Sequence, residues 1–150
     1  MKIEEKINES IKDSMKEKNS LRLDSLRAIK SAIIIEKTKS GSKDQIEESV
    51  VLKILQKMVK QRNDSAKIYL DQNRNDLAEV ESSQADIISE FLPTQLSQSE
   101  LSEIIDKVIE EVGAESMKDM GNVISKVNEK VFGKAEGRVI AEIVKNKLMN

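Results

Sequence analysis

Apolar residues recur along this chain at the three- and four-residue spacing of one helical face, interrupted by a few short polar breaks. The first stripe, Ile3, Ile7, Ile11 and Met15, predicts a helix over about 2–18, broken at Asn19-Ser20. A second helix runs to about 38, with Leu23, Leu26, Ile29 or Lys30, Ile33 and Ile34 on its buried side, and stops at Ser40-Gly41-Ser42. Ser42 and Gln45 have capping-box spacing and open a long helix to about 72, through Val51, Leu55, Met58, Val59, Ala66 and Tyr69. Asp76 with Glu79 repeats that signal ahead of a fourth helix through Val80, Ile87, Ile88 and Phe91. Long amphipathic helices on short links predict an antiparallel bundle.

The only proline, Pro93, disfavours helix at the residue before it. Ser97 and Glu100 then form another capping box. These signals put a domain boundary at about 92–97, between a helical domain over 1–92 and a smaller one over 97–150. The second has three helices. One spans about 98–112, with Leu101, Ile104, Ile105, Val108 and Val112, and stops at Gly113. Ser116 and Asp119 open another, through Met120, Val123, Ile124, Val127 and Val131, which Gly133 ends. The last covers about 135–148 with Val139, Ile140, Ile143, Val144 and Leu148. The expected fold is all-α.

Composition narrows the chemistry. There is no His and no Cys in 150 residues. Zinc sites, disulfides, thiol chemistry and Ser-His-Asp or Cys-His catalysis are excluded. The 27 acidic residues show no distinctive paired spacing. No catalytic residue, metal or cofactor is therefore expected. No apolar run approaches the roughly 18 residues of a membrane span. The N-terminus alternates Lys2, Glu4, Glu5 and Lys6, unlike a signal or transit peptide. Together these features point to a cytoplasmic protein without membrane contact.

Net charge is −2, against a bulk nucleic-acid binder, but its distribution is uneven. Residues 97–125 hold two basic and seven acidic side chains, whereas 126–150 hold six basic and three acidic, a net of +3. That positive end contains the most informative stretch, Gly133-Lys134-Ala135-Glu136-Gly137-Arg138, with Gly121 upstream. Gly133-Lys134 is not a phosphate loop: Asn128 stands where the first glycine belongs, Ala135 where Ser or Thr belongs, and no strand precedes. Two readings of the glycines remain open. Gly121 and Gly137 could admit a closely crossing helix. Alternatively Gly121, Gly133, Lys134, Ala135, Gly137 and Arg138 form a low, cationic surface for a phosphate chain.

A second basic feature is the stripe Lys53, Lys57, Lys60 and Lys67 on the long helix, with Arg62 beside it and Asp64 interrupting it. It reads either as a solvated face with i,i+4 pairs or as a secondary contact to RNA. With only Tyr69, Phe91 and Phe132 as aromatics, a stacking platform for single strands is not expected.

The residues now resemble a known family. Asp119-Met120-Gly121 and Gly133-Lys134-Ala135-Glu136-Gly137 are similar to the tail domain of the GatB/YqeY family. Phe91-Leu92-Pro93-Thr94-Gln95-Leu96-Ser97 resembles its domain junction. Leu26-Arg27, Lys30-Ser31-Ala32 and Lys60-Gln61-Arg62-Asn63-Asp64-Ser65-Ala66 resemble the N-terminal part of YqeY-like proteins. Ser125 departs from the small residue, often glycine, expected at its place. The resemblance implies a free-standing YqeY-like protein whose tail is similar to that of the B subunit of glutamine-dependent tRNA amidotransferase. That tail contacts tRNA, while the kinase-like and amidase parts of the enzyme have no counterpart in this chain. A carbon–nitrogen ligase label with glutamine as amide donor would then be inherited from the shared tail. The implied partners are tRNA and amidotransferase or aminoacyl-tRNA-related proteins. The resulting expectation is a non-catalytic adaptor. Its alternatives are an accessory amidotransferase subunit and a helical protein–protein module with no RNA role.

Overall fold

A computed structural model describes residues 2–41 and 45–149. Among them are seven α-helices, one short 3-10 turn and no strand, as the periodicity predicts. The chain divides into two compact units, Met1–Leu92 and Pro93–Asn150.

The first unit holds α1 (Ile3–Glu17), α2 (Ser20–Ser40), α3 (Glu48–Asp71) and α4 (Asn75–Ser89). Lys18, in the left-handed conformation at φ 58°, ends α1, and the Asn19 side chain caps α2 by accepting from the Arg22 amide at 3.1 Å. Asn73, at φ 60°, turns α3 into α4, a conformation that asparagine tolerates better than most residues. Both pairs run antiparallel: Lys37 near the end of α2 pairs with Glu4 near the start of α1, and Arg62 of α3 reaches Gln84 of α4 at 3.2 Å. Their core includes Ile7, Leu26, Ile29, Val51, Leu55 and Ile88.

Three sequence expectations need correction here. Met15 is 55% exposed and Ser14 is buried in its place. At 100° per residue, Ser14 stands about 20° from Ile3, whereas four-residue steps carry Met15 about 120° away. Ile34, expected inside, is 53% exposed, since it lies about 80° round the helix from Leu26, away from Ile29 and Ile33. Val80 faces outward on the side of α4 opposite Ala78 and Ala85. Two helix starts also differ. The Ser42 cap lies outside the described residues, and Gln45–Glu47 precede α3, which begins at Glu48. Asp76 does not cap α4; its carboxylate is taken by Arg74, with bonds of 3.2 and 3.1 Å.

The second unit is α5 (Gln98–Val112), a 3-10 turn (Met117–Asp119), α6 (Met120–Lys130) and α7 (Gly137–Met149). The Ser97–Glu100 capping box is present, with both bonds at 3.1 Å, and Gly113 ends α5 at φ 65°. The core runs through Leu101, Ile105, Val108, Val123, Val127, Ile140 and Val144. Lys130–Glu111 and Lys147–Asp106 tie α6 and α7 to α5 across its rim. Exposed pairs of this kind contribute about 1 kcal/mol or less each. The junction residues are shared out accordingly: Phe91 and Leu92 pack on the first core, Leu96 on the second.

Candidate functional site

The stretch between α6 and α7 builds a small, braced corner. Helix α6 stops at Lys130, three residues before the expected stop at Gly133. Val131 is buried in the tail core, and its carbonyl accepts from the Lys134 amide at 2.7 Å, closing a four-residue turn. Gly133, third in that turn, has φ 73°, which glycine adopts without penalty. The segment after Pro93 supports the turn from behind. The Gln95 amide donates to the carbonyls of Gly133 (2.9 Å) and Pro93 (2.8 Å). The Leu96 amide donates to the Lys134 carbonyl at 2.9 Å. Gln95 was invisible as a site residue in the sequence, because its partner is 38 residues away and no spacing rule connects them.

The carbonyls of Val131, Gly133 and Lys134 are all engaged, and beyond the buried Val131 the segment turns several side chains outward. Phe132, Lys134, Gly137 and Arg138 are exposed; Gly133, Ala135 and Glu136 are half-buried. Ala135 packs against the tail core. The Glu136 carbonyl accepts from the Ile140 amide at 3.1 Å, so α7 opens with Gly137 and Arg138 in its first turn. Amides of a first turn have no intrahelical acceptor and favour anions. Among the described residues no ion pair engages Lys134 or Arg138, in contrast to Lys130 and Lys147 of the same unit.

The glycines can now be separated. Beyond its own helical turn and sequence neighbours, a Cβ built on Gly121 or Gly137 would meet no atom of the described residues within 4 Å, so neither makes room for a crossing helix among them. Gly133, Lys134, Ala135, Gly137 and Arg138 come together at one corner. Gly121 does not join them: it is the second residue of α6, about 14 Å along the helix from its end. Close to Gly121, the Asp119 carboxylate accepts from the amides of Glu115 (2.9 Å) and Ser116 (3.3 Å), and those bonds lower its pKa.

On α3, Lys53, Lys57 and Lys67 are exposed, while Lys60 is engaged by Asp64 at 2.8 Å, four residues on. The stripe therefore carries an acid in its own line. No group of three or more acidic side chains among the described residues is placed to hold a metal ion, and no described helix is long and apolar enough to cross a membrane.

A family model described as "Yqey-like protein" matches residues 4–148. Among curated proteins, the chain is 32% identical over 122 residues to "Altered inheritance of mitochondria protein 41, mitochondrial" of Clavispora lusitaniae, covering 79% of this chain and 70% of that one. It is 27% identical over 146 residues to the protein of the same name from Pyrenophora tritici-repentis, covering 95% and 77%. The Meyerozyma guilliermondii protein is 31% identical over 136 residues, covering 91% and 67%. All three of these relatives are named as mitochondrial proteins, which overturns the expectation of a cytoplasmic one. The absence of cysteine and the charge pattern of the N-terminus, from which that expectation came, do not encode a compartment.

Proposed function

The chain belongs to the family of YqeY-like proteins, and from that premise we propose that it is a non-catalytic adaptor that binds folded RNA through the corner at Gly133–Arg138. The observation that carries this reading is the pair of exposed cations without an ion-pair partner among the described residues, Lys134 and Arg138, beside a helix start at Gly137 that is open to approach. Lys and Arg neutralise backbone phosphates, and amides of a helix start add a fixed positive field. The likeness of Asp119–Gly121 and Gly133–Gly137 to a tRNA-contacting tail supports tRNA as the RNA. The test is an electrophoretic shift of tRNA by the full chain at rising salt. Binding made by phosphate contacts must weaken steeply as salt increases. Failure to shift tRNA at low salt would refute the reading.

A protein contact alongside RNA is favoured by one feature of the first unit. Ile34 and Ile35 stand adjacent on α2, each more than half exposed. An adaptor joining tRNA to an amidotransferase-related protein would use both units. Co-purification with such an enzyme and stimulation of its activity test this extension.

A further inference from the structure

Phe132 is the one aromatic side chain that the fold does not use. Of three aromatics in the chain, Phe91 packs on the core of the first unit and Tyr69 is half-buried, whereas Phe132 is 48% exposed. Its backbone is braced by hydrogen bonds. Phe132 occupies the second position of the turn closed by Lys134 on Val131, and Gln95 and Leu96 brace the next two carbonyls. Lys134 lies in the same turn, whose ends are within about 7 Å of each other. Arg138 follows in the first turn of α7.

An exposed flat apolar ring on a hydrogen-bonded turn, in one short segment with two cations that make no ion pair among the described residues, matches a ligand that joins a flat π face to an anion. A nucleotide has that construction. Inside a paired A-form helix both faces of each base are covered by stacked neighbours, so an amino-acid ring reaches only a base at an end or one that has left the stack. We propose that Phe132 stacks on one unpaired base of the bound RNA while Lys134 and Arg138 hold the adjoining phosphates. The proposal rests on the RNA-binding reading above and specifies what that site selects: a bulged, looped or terminal nucleotide in folded RNA. A single ring makes a single stack, so the contact selects an exposed base with little regard to its identity.

The experiment compares Phe132→Leu, Phe132→Tyr and Lys134→Ala/Arg138→Ala in the full chain. The probes are a blunt RNA duplex with one central bulged adenosine and the same duplex without it. Loss of a base–aromatic stack should lower affinity for the bulged duplex about 5- to 100-fold in the Leu variant. The salt slope should stay at the wild-type value, because no phosphate contact is lost. Binding to the continuous duplex should be unchanged, and Tyr should bind like wild type. Equal affinities of the Leu variant and wild type for the bulged duplex would overturn the proposal. So would an equal loss on both duplexes. If the cation variant loses affinity and Phe132→Leu does not, stacking fails and the RNA-binding reading stands. If neither variant differs from wild type, or wild type binds neither duplex, both fail. The ring is exposed, so circular dichroism of the Leu variant should match wild type.

Discussion

Gly121→Ala and Gly137→Ala are expected to stabilise this protein. Glycine in a helix interior is less favourable than alanine by about 1 kcal/mol. Replacing it at a compatible backbone gains about 0.4–1 kcal/mol, largely by narrowing the unfolded ensemble. Both positions are compatible: their φ angles are not positive, and a Cβ at either meets nothing within 4 Å. They occupy the second residue of α6 and the first of α7, where only part of the interior effect applies. About 0.5 kcal/mol each follows, and about 1 kcal/mol together, since distant sites add. For a unit of this size that is roughly 4–8 °C in Tm, read on the transition that reports the tail. Gly133→Ala is the opposite control. At φ 73° an L side chain costs roughly 1–2 kcal/mol, so this variant should melt earlier. Gly137→Leu extends the argument to function: it keeps every charge but adds bulk, and should weaken tRNA binding at an unchanged salt slope. The assay is urea and thermal unfolding of the full chain by far-UV circular dichroism, with tRNA shifts in parallel. Destabilisation of Gly121→Ala or Gly137→Ala by more than about 0.5 kcal/mol would refute the reasoning, because some atom would then be packed against that glycine.

Further expectations follow from single contacts. Ser97→Ala removes the acceptor for the Glu100 amide and should cost the tail about 1 kcal/mol in denaturant unfolding. Ser14 Oγ is buried without a hydrogen-bond partner among the described residues, so Ser14→Ala should stabilise the first unit by up to about 1 kcal/mol; a loss of stability would reveal an unrecognised acceptor. Glu100 and Asp119 have lowered pKa values, caused chiefly by the Ser97 amide and the Glu115 amide respectively. A carboxylate lowered on folding stabilises above its unfolded pKa, about 4, and loses that contribution as pH falls through the folded value. Tail stability should therefore be flat near neutral pH and fall in acid. Melts from pH 7 to pH 3 should show a shallower decline for Glu100→Gln/Asp119→Asn than for wild type.

What the sequence made legible was local. Leu101, Ile105 and Val108, with Ser97 and Glu100 ahead and Gly113 behind, describe α5 completely, because periodicity and caps act over one or two turns. Choosing between neighbouring apolar columns was harder. Ser14 rather than Met15, and Ile33 rather than Ile34, face the core, since helical pitch over several turns decides which column stays inside. The Asp76 signal failed because Arg74, two residues earlier, competes for the same carboxylate. At the candidate site, the glycines and cations were readable as a group, but the brace from Gln95 was not, since it spans 38 residues. The exposure of Phe132 was hidden for the same reason, since it depends on how the turn is seated.

The central claim, that the corner at Gly133–Arg138 is an RNA-binding surface, is tested most directly by the salt dependence of tRNA binding in Lys134→Ala, Arg138→Ala and the double variant. Each lost phosphate contact should flatten the slope of log affinity against log salt by about one unit, and the double variant by about two. Affinity at low salt should fall in the same order, with circular dichroism unchanged. Variants that remain folded and bind tRNA with the affinity and slope of wild type would contradict the claim, and would leave a protein partner as the ligand of this corner.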